Sequence, residues 1–295
     1  MNRQEMIVLI ACLILGINSG FCKQLNRQNS SDNMTKEKDE FIESYTKQST
    51  PEENEKGYKE MWIKVSSGAR ADMVWSICGS NARDRMVPFL AEKLLTEKHE
   101  DDRKEIARAF GSCGNKEIVI VSLKKSINDS SDNVRYWVAK SLMMRGEELL
   151  TIPILIELVK KNWADGRIGG EFYQYKSTSA IHLASNELKK LSRDSSYSLL
   201  RRLRFAMFSS QLNPEQFDEF TNKLFLDCLQ EAEQNGKPEE IETLRRLLKG
   251  VVNLLKKAKS SETNQRLVDV LKHASNSSNA EIKNGSKDAI GKMDK

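Results

Sequence analysis

From about Gly57 onward, apolar side chains recur every three or four positions, the period of a helix with one buried stripe. Sliding the chain by 33 and then by 32 residues lays three stripes over one another. Met73 falls on Ile106 and Val138, Val74 on Ala107 and Ala139, and Ile77 on Phe110 and Leu142. A second stripe keeps the same register: Val87, Ile120 and Ile152; Leu90, Leu123 and Leu155; Leu94, Ile127 and Val159. Between the stripes stand Asn81, Gly114 and Gly146, residues that tolerate the left-handed backbone at a helix end. Each unit therefore predicts a helix of about three turns, a tight turn and a second helix. Neither helix can bury its stripe alone, so the copies must stack.

A fourth copy is expected 41 residues on, with Lys176, Ala180 and Leu183 in the places of Arg135, Ala139 and Leu142. The extra residues form an irregular stretch, WADGRIGGEFYQY, from Trp163 to Tyr175. Further stripes follow without clean register: Leu199, Leu200, Leu203 and Met207; Phe217, Phe220, Leu224, Cys228 and Leu229; Ile241, Leu244, Leu248, Val251 and Leu255; Leu267 and Leu271. Asn213-Pro214 and Pro238 read as helix starts. The division expected is repeats over 57–193, further helices of weak register over 194–275, and a frayed C-terminal helix or tail over 276–295.

One polar position also holds register: Arg70, Arg103 and Arg135. With Val134-Arg135…Ala139…Leu142…Gly146 in a first helix, and Pro153-Ile154-Leu155 or Val87-Pro88-Phe89-Leu90 in a second, the unit resembles HEAT repeats. Its short length is similar to the HEAT-like variety of phycobilin lyases. The resemblance covers about residues 67–190 and implies an all-α fold, a right-handed α-solenoid of stacked helical hairpins. It also implies a structural ladder in which Arg70, Arg103 and Arg135 bond acids of neighbouring repeats, with Glu100 and Asp132 as candidates. It implies no single activity, since fold and function separate easily.

The N-terminus changes the picture of where the chain works. Ile7 to Ile17 is an apolar run of eleven after a short polar start with Arg3. It is too short to span a bilayer of roughly 30 Å and fits a signal peptide over 1–19. Leu9-Ile10-Ala11-Cys12 matches a lipobox in letters, and Cys22 is better placed but follows Phe21; both cysteines are candidate lipidation residues. Residues 20–56 are polar and predict a disordered linker. The chain is expected to be exported: periplasmic, membrane-anchored or secreted. The remaining cysteines, Cys78, Cys113 and Cys228, match no metal or redox spacing. Buried or lone thiols are the expectation for them, although export permits disulfides.

The net charge of +5 gives no single-sign field. Basic residues gather at Lys189, Lys190, Arg193, Arg201, Arg202 and Arg204 and at Arg245, Arg246, Lys249, Lys256, Lys257 and Lys259, but acids interleave with them. A solvated face is expected rather than a nucleic-acid site. His99, His182 and His273 are scattered, and no nucleophile elbow, phosphate loop or metal-spaced set occurs. The reading is a non-enzymatic scaffold, without cofactor or metal, that binds another protein through a concave surface and the 163–175 stretch. There Trp163, Arg167, Phe172, Tyr173 and Tyr175 are the candidate interaction residues, because aromatics and arginine anchor interfaces. The alternative is a small-molecule or cofactor-binding protein associated with lyase chemistry, and a nucleic-acid binder after that.

Overall fold

The computed structural model describes residues 50–161, 165–172 and 174–291. Among these, every regular element is a helix. The chain divides between Ile154 and Leu155 into two compact units.

The first unit opens with α1 (Pro51–Lys64), whose N-terminal part, 51–56, lies in the stretch expected to be a linker. The reason is a capping box: Thr50 Oγ1 accepts from the Glu53 amide, and the Glu53 carboxylate accepts from the Thr50 amide. Pro51 supplies a preset φ at the first position, and Tyr58 and Trp62 give the helix something to bury. Two hairpins follow, α2 (Ser67–Gly79) with α3 (Arg83–Thr96) and α4 (Glu100–Ala109) with α5 (Lys116–Lys125), and then α6 (Asp132–Met144); α7 (Glu148–Lys160) spans the boundary between the units. Helices α2, α4 and α6 pack side by side as one layer, and α3 packs on α5 in a second. This is the stacking of an α-solenoid, in which each hairpin buries its stripes against its neighbours. The register residues are the core: Met73, Val74, Ile77, Ile106, Ala107, Phe110, Val138, Ala139 and Leu142 are all buried. Gly114 and Gly146 end α4 and α6 with φ of 84° and 89°.

The second unit holds α8 (Asp165–Phe172), α9 (Thr178–Arg193), α10 (Leu199–Leu212), a 3-10 turn over Pro214–Gln216, α11 (Glu219–Asn235), α12 (Pro238–Leu255), α13 (Ser261–Ser275) and α14 (Ala280–Ile290). Helix α9 lies along α10; α10, α12 and α14 neighbour one another in sequence, and α11 packs on α13. Two-layer stacking thus continues where no repeat could be read. Its core joins Leu203, Met207, Phe225, Leu229, Leu248, Val251, Leu267 and Ile282.

Four expectations change here. The fourth copy is out of register: Ser177 caps α9, so the buried stripe is Ala180, Ala184, Leu188 and Leu191, and Leu183 is 42% exposed. The stretch at 163–175 is not a plain loop but contains α8. Pro214 starts only a single 3-10 turn; α11 begins after Asp218, whose carboxylate accepts from the Thr221 amide. The segment from 276, expected to fray, forms α14, which buries Ile282 and Ala289 and is capped by Asn279.

Candidate functional site

The first layer of the first unit is tied at both ends of its helices. At the N-terminal end stand the three arginines in register. Arg70 donates through Nε to the Trp62 carbonyl (2.9 Å), and its guanidinium lies 3.3 Å from Glu97 and 3.6 Å from Asp102. Arg103 makes a two-pronged pair with Asp129 at 2.8 and 2.9 Å and donates to the Glu97 and Lys98 carbonyls. Each of these two arginines therefore grips the end of the preceding helix and an acid after the next one. The acids are Glu97 and Asp129 rather than Glu100 and Asp132, and Asp129 stands one residue short of Ser130, the position to which the 33-residue shift carries Glu97. The next acid in this series would stand at 161, which is Lys161. Arg135 accordingly turns to Asp132 in its own helix at 3.2 Å, and its Nε is buried without a hydrogen bond.

The carboxylates here are held unequally. Burial drives the Asp102 carboxyl above its usual range, against the Ser67 hydroxyl bond and the charge of Arg70. Burial acts on Glu97 too, but the Lys98 amide, the Trp62 indole and Arg70 together keep it below its usual range.

At the C-terminal end the ties are different. Cys78 and Cys113 form a disulfide with Cα atoms 5.5 Å apart, so these two are not lone thiols. The separation fits the span that a disulfide bridges without backbone movement. Cys228 is a buried thiol, and burial raises its pKa far out of the reactive range. One repeat further on, Arg145 donates to the Phe110 carbonyl (2.8 Å) and the Cys113 carbonyl (2.6 Å), closing the end of α4. Ser141 adds a bond to the Ala107 carbonyl at 2.6 Å. A sulfur bridge thus joins α2 to α4, and an arginine joins α4 to α6.

Between these ties the layer turns a polar and aromatic face outward. Trp75, Arg108 and Lys140 share one register position on α2, α4 and α6, and Trp137 lies one turn before Lys140. The Arg108 Cζ is 5.3 Å from the Trp75 ring and 5.0 Å from the Trp137 ring, within cation–π range of both. Lys140 Nζ lies 5.4 Å from Trp137. Glu105 accepts from the Trp75 indole at 3.1 Å. Both indoles are half-buried, Arg108 is exposed, and Met144 at the edge is 57% exposed. No signal short of the repeat register could have found this row, because its members are far apart in sequence and differ in type.

The predicted loop behaves otherwise. Phe172 and Tyr175 are buried, 0% and 5% exposed, with ring centroids 6.0 Å apart. Helix α8 packs on α10, and neither ring is displayed at the surface. Trp163, Tyr173 and the Arg167 side chain lie outside the described residues; so do Cys12, Cys22 and the whole of 1–49. The first basic group is largely spent on internal bonds. Lys189 is buried against Asp218 (2.7 Å) and the Gln216 carbonyl, Arg201 donates to the Val159 and Lys160 carbonyls, and Arg202 to the Ser192 carbonyl. Burial lowers the Lys189 pKa despite its pairing.

Chemistry finds little to build on. His99, His182 and His273 are exposed and separate. Among the described residues no three His, Cys, Asp or Glu side chains gather as a metal site. A depression lined by Gln211, Asn253, Leu254 and Lys257 brings no acid and base together. No described helix is long and apolar enough to cross a membrane.

Residues 87–169 match the model of the family described as HEAT repeats. The helices stacked within that span are HEAT-like repeats. Such repeats commonly serve as protein-interaction scaffolds, and the family is generally non-enzymatic. No match to a curated protein is found. The HEAT-like hairpins therefore leave the outer face of α2, α4 and α6 as the surface whose composition is least explained by stacking alone.

Proposed function

We propose that this chain is an exported, non-enzymatic HEAT-like scaffold that holds another protein against the outer face of α2, α4 and α6. The observation that carries the reading is the row Trp75, Arg108 and Trp137, drawn from three consecutive repeats onto one partly exposed surface. Tryptophan and arginine dominate the energetics of protein interfaces. Core packing asks for neither at a surface position. Export is supported by the apolar run at 7–17 and by the Cys78–Cys113 disulfide, since such bonds persist in oxidising compartments. Any membrane contact would come through a lipid anchor or retained leader rather than through the described helices.

The test is a photocrosslinking amino acid placed at the exposed Ser112, beside this face, with a second version carrying it at Leu183 in the other unit. In cells that produce the protein, irradiation is expected to give a discrete protein adduct from position 112 and little from 183. Absence of any protein adduct from 112 would overturn the scaffold reading.

A further inference from the structure

We infer that the Arg108 guanidinium, held between Trp75 and Trp137, is the seat for a carboxylate on an extended acidic segment of the partner protein. The inference rests on the scaffold reading above and adds the partner's chemistry.

The argument begins with the helix spacing. Arg108 stands on the middle helix, and the two indoles reach it from the helices on either side, at 5.3 and 5.0 Å. A guanidinium stacked by aromatic rings keeps its five N–H donors in the plane of its edge, aimed away from the rings. Stacking also removes the rotamer freedom that an exposed arginine otherwise loses on binding. The cation is therefore already oriented for a two-pronged bond to a carboxylate.

The protein's own acid does not satisfy it. Among the described residues Arg108 has Glu105 as its ion pair, at 3.5 Å, the long limit of a hydrogen bond. That carboxylate is shared: it accepts from the Trp75 indole at 3.1 Å and lies 3.8 Å from Lys104. Lys104 has its own closer partner in Asp101 at 2.6 Å, so Glu105 is divided between the Trp75 indole and Arg108, and among the described residues no carboxylate lies closer than 3.5 Å to the Arg108 guanidinium.

The shape sets the rest of the ligand. In an extended segment, residues two apart point to the same side and lie about 6.6 Å apart. An acid over Arg108 thus places the side chains two before and two after it close to the two indoles. The fitting segment has Asp or Glu at its centre and apolar residues two places to either side.

The experiment selects random seven-residue peptides, displayed on phage, against the full chain, and then measures selected peptides by fluorescence anisotropy. Selected sequences are expected to carry a central acid flanked as described. Replacing that acid by its amide, or making Arg108→Gln, is expected to weaken binding at least about tenfold, and Arg108→Lys to weaken it because the fork is lost. Loss of the two ring contacts should lower the Arg108→Gln melting temperature by only a few degrees, leaving the protein folded at the temperature of the binding assay, which separates lost binding from lost folding. Selection of no peptide, selection of peptides without acids, or equal affinity for wild type and Arg108→Gln would overturn the inference. So would Arg108-dependent sedimentation with phosphatidylserine vesicles but with no acidic peptide, which would assign the face to a membrane. Trapping by the Ser112 crosslinker separates the two levels. An adduct kept in full by Arg108→Gln leaves the scaffold reading standing and removes this inference, whereas no adduct removes the scaffold reading.

Discussion

Gly114 and Gly146 sit at one position in successive repeats, and both hold positive φ. Their surroundings differ. A Cβ at Gly114 would lie 2.3 Å from Val87 Cγ2, whereas at Gly146 it would meet nothing within 4 Å. Gly146→Ala should therefore cost only the left-handed backbone, about 1–2 kcal/mol. Gly114→Ala adds displacement of a fully buried valine, for a total of roughly 3 kcal/mol or more. Urea unfolding of the two variants checks the order, and equal losses would show that Val87 yields freely. The turn itself was legible in the sequence, because only glycine or asparagine suits it. The approach of Val87 was not, since a stripe says which residues are buried but not what stands opposite them. The disulfide was hidden for a related reason. Cys78 and Cys113 are 35 residues apart while the repeat is 33, so they occupy unlike positions and never align.

Among the elements, the arginine row shows how a repeat can keep a residue after losing its partner. Arg103 is nearly enclosed with Asp129, at 10% and 9% side-chain exposure. Removing one member of such a pair strands the other, so Arg103→Ala should destabilise by about 3 kcal/mol. For Arg135 the sequence offers Lys161 where the earlier copies have an acid, and among the described residues its ion pair is with Asp132 of its own helical turn. Arg135→Ala should cost about 1 kcal/mol. Thermal unfolding of the two variants decides, and a larger loss at Arg135 would refute the ladder as drawn. The sequence made the arginines visible because they share a register, whereas their acids stayed hidden because Asp129 stands one residue short of Ser130, the position that matches Glu97. Register fails at α9 because the preceding stretch folds into α8, which alters where the next helix starts. The aromatic residues there looked like surface anchors, but without a repeat to compare, burial of Phe172 and Tyr175 could not be told from display.

At the scale of the whole molecule, fold class was readable from end to end, since helical stripes persist in both units. Pairing was readable only where the repeat held. The proposed docking face was legible in neither way: Trp75 and Arg108 share a register but not a type, Trp137 lies outside that register, and only the folded layer brings the arginine within reach of both tryptophans. The covalent tie across α2 and α4 sets a measurable share of the first unit's stability. Closing a loop of 35 residues restricts the unfolded chain by roughly 3–4 kcal/mol. Cys113→Ser should show this loss as faster hydrogen exchange in α2 and α4, with peptide mapping of the wild type giving one linked pair from Cys78 and Cys113. Recovery of both as free thiols from the protein isolated without reductant would refute the bond.

The same bridge has a mechanical side. When a chain is pulled by its ends, tension runs through the sulfurs and bypasses the residues between them. Those between Cys78 and Cys113 carry α3 and α4 whole, so about 120 Å of contour is withheld from extension until the disulfide is reduced. A scaffold strained between an anchor and its partner would then lengthen at the rest of the chain first, while the span that bears Arg108 kept its length.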